Sequence, residues 1–376
     1  MVQTGAALTP SERILWRSGP NLITVFAQTQ GAIDAARALA GVMALARSDD
    51  RLRRVVQDGP LPQWGPEQAL DPAAHLKVLR APGLIGPEGA ATLLDTLRRQ
   101  ALPGDRPGWQ AVVVNPDGPS DRAVSGLALH LDHAIGDGTR LARALLGAWR
   151  HGSAPDGLNM ALPVTTFEDL SRTVDPRIDA VPPATLRLRL PSGGASGRIG
   201  ALIRAGAVVL ERQELFGVLP PRQRASVSIA RFASRHSAQG ALRNDARMVR
   251  MRVSESAGDI RGLRIVPPPP EALYRLKLGL GGVLPARWLR RAVDAEFSAP
   301  GQVLTIIPGH AGWLEVGGAP IRSVMALAPA MGHPPLALTG VSYRGEMHLT
   351  VSARGPDGRG VSAEAAETLR DALVAT

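Results

Sequence analysis

The chain has 376 residues, which suits two lobes of roughly 150–200 residues better than one core. Hydrophobic residues make up 44% and charged residues 20%, a globular balance that argues against disorder, collagen and coiled coil. There is no cysteine, which excludes disulfides, thiolate metal sites and a cysteine nucleophile, and leaves the redox compartment open. Lys and Arg number 43 against 33 Asp and Glu, a net charge of +10 carried almost wholly by arginine, with Lys77 and Lys277 the only lysines. This reads first as a solvated basic surface and second as attraction to anionic partners such as phosphate-bearing cofactors or lipid headgroups. Nucleic acid is not expected, because the arginines are scattered and only 3% of residues are aromatic.

The first ten residues carry no basic segment leading into an apolar run, and so no secretory leader is read there. The longest uncharged stretch, Val324 to Tyr343, contains Pro329, Pro334 and Pro335 and reads as two buried strands around a turn. The expected location is therefore cytoplasmic, with contact to a membrane surface as the most that the basic charge suggests.

In chain order, Thr9-Pro10-Ser11-Glu12 is an N-cap, a first-turn proline and an N3 glutamate, and predicts a short helix through Trp16. Asn21 to Gln28 reads as a strand and Gly31 to Arg47 as an alanine-rich helix. A strand over His75 to Arg80 and a helix over Ala90 to Leu102 follow. The clearest hairpin joins Gln110–Asn115 to Ala123–His133 through Pro116-Asp117-Gly118-Pro119. Leu127, Leu129 and Leu131 alternate on one face of its second strand, and His133 stands at that strand's end on the same face. Asp137-Gly138 breaks the strand, and Leu141, Leu145 and Trp149 recur at helical spacing.

Residues 186–200, ending in a Gly/Ser-rich stretch, read as a linker between an N-terminal lobe (1–185) and a C-terminal lobe (201–376). In the second lobe, strands are predicted over 225–231, 246–253, 303–308, 323–327, 335–343 and 347–353. Helices are predicted over 271–279, 284–297 and 362–374, the last with Ser362 as its cap. The fold class is α/β (α+β), with mixed sheets flanked by helices.

The chemistry-bearing stretch is Ala128 to Gly138, ALHLDHAIGDG. Three readings stand on the residues alone. A His at a strand terminus with Asp-Gly four residues on suits an acyltransferase base, since imidazole is neutral and basic at cellular pH. The Asp would cap the next helix and fix the turn, and Gly138 would let the chain turn tightly. A metallo-hydrolase signature would need a third histidine at position 128, where the chain has Ala128, and so no metal is expected. The third reading is structural: His133 bonded to a carbonyl and Asp137 serving only as a helix cap. Ser196 lacks the second glycine of a nucleophile elbow, and no phosphate-binding glycine loop is present.

DHAIGDG resembles the HHxxxDG motif of the bacterial wax ester synthase/diacylglycerol acyltransferase family, part of the HxxxD superfamily that includes chloramphenicol acetyltransferase and condensation domains. Further likeness follows in order along the chain. Leu8 to Trp16 resembles the family's opening helix, and Asp105 to Trp109 its "RPLW" element. Leu284 to Phe297 resembles a second-lobe helix, and Ile307-Pro308-Gly309 the "NVPGP" segment. Gly317 to Arg322 and Gly340 to Gly345 complete the series.

The resemblance implies two chloramphenicol-acetyltransferase-like lobes with a tunnel between them, an acyl-CoA donor entering from one face and a hydroxyl or amine acceptor from the other. It implies no permanently bound cofactor. His133 matches the family's general base and Asp137 the residue that shapes the site. Thr305 lies near the superfamily's oxyanion hydroxyl, and Asp132 and Trp109 are carried over as substrate contacts, with core support of the hairpin the competing role for Trp109. The chain departs from the pattern at Asp132, which replaces the first His of the pair, at Ile306 for the Asn of "NVPGP", at His310 for its last Pro, and in lacking the "ND" helix between residues 200 and 225. These departures leave a second expectation open, a non-catalytic lipid- or partner-binding homologue.

Overall fold

A computed structural model of the chain describes residues 6–19, 21–81, 83–116, 123–150, 162–175, 178, 181–189, 195–213, 226–232, 242, 246–252, 264–265, 276, 279–281, 283–329, 334–355 and 357–374. The first part runs β1 (Ala6–Ala7), α1 (Pro10–Arg17), β2 (Leu22–Thr29), α2 (Ala35–Ser48), β3 (Arg54–Gln57), β4 (Gln63–Glu67), α3 (Pro72–His75) and β5 (Leu76–Arg80). It continues with α4 (Gly86–Arg98), β6 (Trp109–Asn115), β7 (Gly126–Asp132), α5 (Gly138–Arg150), β8 (Val164–Thr166) and α6 (Phe167–Arg172). Then come β9 (Ala184–Leu188), α7 (Ala195–Arg212), β10 (Ser226–Phe232), β11 (Ala246–Arg252), β12 (Arg264–Ile265) and α8 (Ala286–Ser298). The chain closes with β13 (Gln302–Ile307), β14 (Glu315–Val316), β15 (Ala319–Leu327), β16 (Leu336–Tyr343), β17 (Glu346–Ala353) and α9 (Ser362–Val374).

Two seven-stranded mixed sheets organise these elements, in the orders β14-β15-β2-β7-β6-β5-β8 and β12-β11-β10-β13-β16-β17-β9. β5 pairs parallel with β6 and β8, and β13 pairs parallel with β10 and β16, whereas the other pairs in both sheets are antiparallel. Strand alternation explains the layers. Leu127, Leu129 and Leu131 of β7 pack with Leu39 and Met43 of α2 and Leu141 and Leu145 of α5. Ala128, on the other face, packs with Phe26 and with Leu93 and Leu94 of α4. In the second sheet, Leu338 and Leu349 meet Leu202 and Ile203 of α7 and Leu369 of α9. Each such leucine removed from water contributes roughly 1.5–3 kcal/mol.

Each half of the chain lends strands to the other half's sheet. β9 pairs with β17 in the second sheet, and β14 and β15 extend the first sheet through pairing with β2. Residues 186–188, read from sequence as the start of a linker, thus finish a strand, because Leu186 and Leu188 bury while Arg187 and Arg189 pair with Glu346 on β17. Residues 195–200, read as the linker's end, open α7. Cross-sheet bonds hold the exchange. Tyr343 Oη donates to the Ile321 carbonyl at 3.2 Å, and Thr350 Oγ1 donates to the Ala326 carbonyl at 2.6 Å.

The expected helix over 90–102 begins earlier, at Gly86, where Pro87 sits in its first turn. The β3–β4 hairpin was not anticipated, because Gly65 and Pro66 interrupt any alternation in β4. Ser362 opens α9 rather than capping it, and its hydroxyl accepts from the Ala353 N–H at 3.1 Å. The capping box of α1 forms as read: Glu12 N–H donates to Thr9 Oγ1 at 3.2 Å and Thr9 N–H to Glu12 at 2.8 Å. The hairpin turn at 117–119, most of the helix over 271–279, and Asn244-Asp245 lie outside the described residues.

Candidate active site

β7 ends at Asp132, where its carboxylate accepts from the Ala134 N–H at 2.8 Å and turns the chain. His133 N–H donates to the Asn21 carbonyl at 2.7 Å, one step beyond the last β2–β7 pair, Leu22 with Asp132. Asn21 is held in turn by its side-chain amide, which donates to Ser18 Oγ at 2.8 Å, at the end of α1. The imidazole of His133 is therefore carried by two strands and a helix end. Its Nδ1 lies 3.0 Å from the Gly136 carbonyl. A carbonyl only accepts, so Nδ1 bears the hydrogen and Nε2 the lone pair. Leu242 backs this turn: a Cβ on Gly136 would stand 3.4 Å from it, and the Leu242 N–H donates to Asp49 at 2.7 Å.

Asp137 is buried, and its Oδ1 accepts from the N–H groups of Thr139 (3.1 Å) and Arg140 (3.0 Å), the first-turn donors of α5. Its other oxygen lies 3.8 Å from Arg140 Nε. The carboxylate thereby fixes the loop whose carbonyl sets the His133 tautomer. Burial pushes the His133 imidazole below its ordinary value of 6.5, and the Gly136 bond and the Asp137 charge oppose that shift. The Asp132 carboxyl moves the other way. Burial raises it from 3.8 to about 7, against the bond from Ala134.

Asp132 lies on the strand face opposite Leu131, in the wall of a cavity of about 230 Å³ shared with Trp16, Trp64, Ile135, Arg106 and Arg290. His133 does not line that cavity, although Ala134 and Ile135 beside it do. Toward the second sheet, Gly138 abuts Ile307 of β13. Thr305 shares the β13 face of Ile307, two residues away, and pairs with Thr339 of β16. The structure thus gathers His133, Asp137 and Gly138 in one turn and sets Thr305 on the strand face that meets it.

Trp109 is elsewhere: it is 1% exposed, donates to the Leu52 carbonyl at 2.8 Å and stacks on His75 with ring centroids 4.3 Å apart. That is the core-support role, and a ring so enclosed has no face for a substrate. The other motif histidine, His130, is buried between Thr24 Oγ1 (3.0 Å) and the Gln100 carbonyl (3.2 Å). Among the described residues no cluster of His, Asp and Glu could hold a metal ion. Asn21, Gly136 and Leu242 support the site and were not singled out from sequence. Asn21 and Gly136 act through backbone carbonyls, which carry no side-chain signal, and Leu242 comes from a stretch without periodicity.

No protein-family model matches the chain, and no curated protein matches it. Solved structures do. The wax ester synthase/diacylglycerol acyltransferase from Marinobacter aquaeolei VT8 superposes with a TM-score of 0.61 at 15% identity, over 98% of each chain. The first condensation domain of the CDA synthetase gives 0.59 at 15% identity, over 99% of this chain and 96% of that one. The starter condensation domain of the rhizomide synthetase RzmA, in complex with C8-CoA and Leu-SNAC, gives 0.58 at 15% identity, over 99% and 94%. No helix among the described residues is long and apolar enough to cross a membrane. The chain has the two-lobed α/β fold of the wax ester synthase/diacylglycerol acyltransferase and condensation-domain structures.

Proposed function

We propose that the chain is an acyltransferase that takes its acyl group from a CoA thioester and passes it to a hydroxyl acceptor, with His133 as general base. The observation that carries this reading is the bond from His133 Nδ1–H to the Gly136 carbonyl, which leaves the basic lone pair on Nε2. In the proposed step, Nε2 takes the proton of the acceptor hydroxyl as its oxygen bonds to the thioester carbonyl carbon. The C–S bond then breaks, and the imidazolium returns the proton to the CoA sulfur. No acyl-enzyme and no resident cofactor enter. Asp137 acts on the chemistry through the turn and through its charge, and Thr305 supplies a hydroxyl toward the developing oxyanion. An RzmA condensation domain crystallised with C8-CoA supports a CoA thioester as the donor class.

The test offers the purified chain acyl-CoAs of several lengths with primary alcohols, diacylglycerol and amines, and reads free thiol. Acceptor-dependent thiol release is expected, and the acceptor that gives it assigns ester or amide. Acyl-CoA binding with no thiol release across the panel would instead make the chain a non-catalytic binding homologue, a reading that the Asp132, Ile306 and His310 departures motivate.

A further inference from the structure

Ten large hydrophobic side chains are exposed among the described residues, and five of them fall within one short stretch: Leu276, Leu280, Val283, Leu284 and Trp288. Exposure there is substantial, at 53% for Leu280, 62% for Val283 and 51% for Trp288. The N–H groups of Val283 and Leu284 donate to the Leu280 carbonyl at 3.0 and 3.1 Å, and the Leu289 N–H bonds the Pro285 carbonyl at 3.0 Å as α8 starts. Its inner side is anchored: Leu289 is buried, and a Cβ on Gly281 would stand 2.9 Å from Ile14 of α1 and 3.6 Å from Leu289. The five apolar side chains are what remains outside that anchor.

Cations frame them. The guanidinium carbons of Arg287 and Arg291 lie 5.9 and 5.7 Å from the Trp288 ring centroid, whereas Arg290 on the same helix turns toward Gly19 and the Asp132 cavity. Of the acids on α8, Glu296 is bonded by Arg250 at 3.1 Å. An exposed tryptophan and leucines beside clustered arginines fit a headgroup region with acyl chains beneath it. A second copy of the chain fits less well, since a two-fold interface would oppose the same two arginines.

We propose that this face docks on an anionic phospholipid surface, with Trp288, Leu280, Val283 and Leu284 entering the acyl boundary and Arg287 and Arg291 pairing with lipid phosphates. The inference stands on exposure and charge and is independent of the acyl-transfer reading. Full-length protein is sedimented with vesicles of phosphatidylcholine alone and of phosphatidylcholine mixed with phosphatidylglycerol. Binding to the mixed vesicles and much weaker binding to the neutral ones is expected. The double Arg287→Gln, Arg291→Gln variant should lose about 25-fold in partitioning, at about fivefold per arginine. Leu280→Ser with Trp288→Ser should release the protein from both vesicle types. These side chains are exposed, and circular dichroism checks that the variants remain folded. Equal binding by wild type and both variants, or no binding to anionic vesicles, overturns the proposal. So does light scattering that shows a dimer which the serine variant dissociates, which would give the face to a second copy.

Discussion

Gly138 and Ile307 meet across the seam of the two sheets: a Cβ at Gly138 would stand 3.0 Å from Ile307 Cδ1. That approach is tighter than side chains tolerate without yielding, and it couples the turn of His133 to β13. Gly138→Ala presses a methyl on the far end of the Ile307 side chain, which must give by a few tenths of an ångström, so the substitution should be better tolerated once Ile307→Val removes Cδ1. A double-mutant cycle by denaturant unfolding checks the coupling, which is expected to exceed about 0.5 kcal/mol.

Asp137 holds two helix donors and also acts on His133 by charge. Asp137→Ala should cost about 0.5–2 kcal/mol of stability as a lost cap. Asp137→Asn keeps an acceptor oxygen and should cost less. Because the Asp137 charge raises the His133 pKa, its removal should lower that pKa further, and the acid limb of turnover should move to lower pH. Unfolding curves and a pH–rate profile of the two variants separate the cap from the charge.

The buried titratable groups give the stability curve two opposing slopes. Asp132, raised to about 7, holds its proton more tightly folded than unfolded, so its contribution is fully present below 3.8 and lost as pH rises through about 7. His130 and His348 are lowered to about 4 by burial. Their contribution is present above 6.5 and lost as pH falls toward about 4, since the unfolded chain takes up those protons first. The melting temperature should therefore peak near neutral pH. Asp132→Asn removes a slope that runs from about 3.8 to about 7, so it should steepen the loss of stability on the acid side and abolish the decline toward about 7, as a series of thermal melts across pH would read.

Much of this was legible locally. Alternation in Leu127, Leu129 and Leu131 marks β7 and its buried face, and Thr9, Pro10 and Glu12 carry the start of α1 in side-chain chemistry. The motif turn was legible too, because Asp-Gly after a strand has few local structures. Two further features depend on contacts between residues far apart in sequence. β9 and β15 each join the other half's sheet, and nothing in Leu186 or Val324 states which strand will pair with it. The seating of His133 depends on the Asn21 carbonyl and on Leu242, distant in sequence and silent in pattern. Trp109, placed beside a motif-like element, is taken up by His75 and Leu52 in the core.

The most direct measurement is acceptor-dependent thiol release by His133→Ala beside the wild type, with acyl-CoA binding and melting temperature followed in parallel. Turnover should fall by about 10²–10⁴ while binding and melting hold, as expected for loss of a general base. A folded, acyl-CoA-binding His133→Ala protein that turns over at the wild-type rate would contradict the assignment of the imidazole as the base.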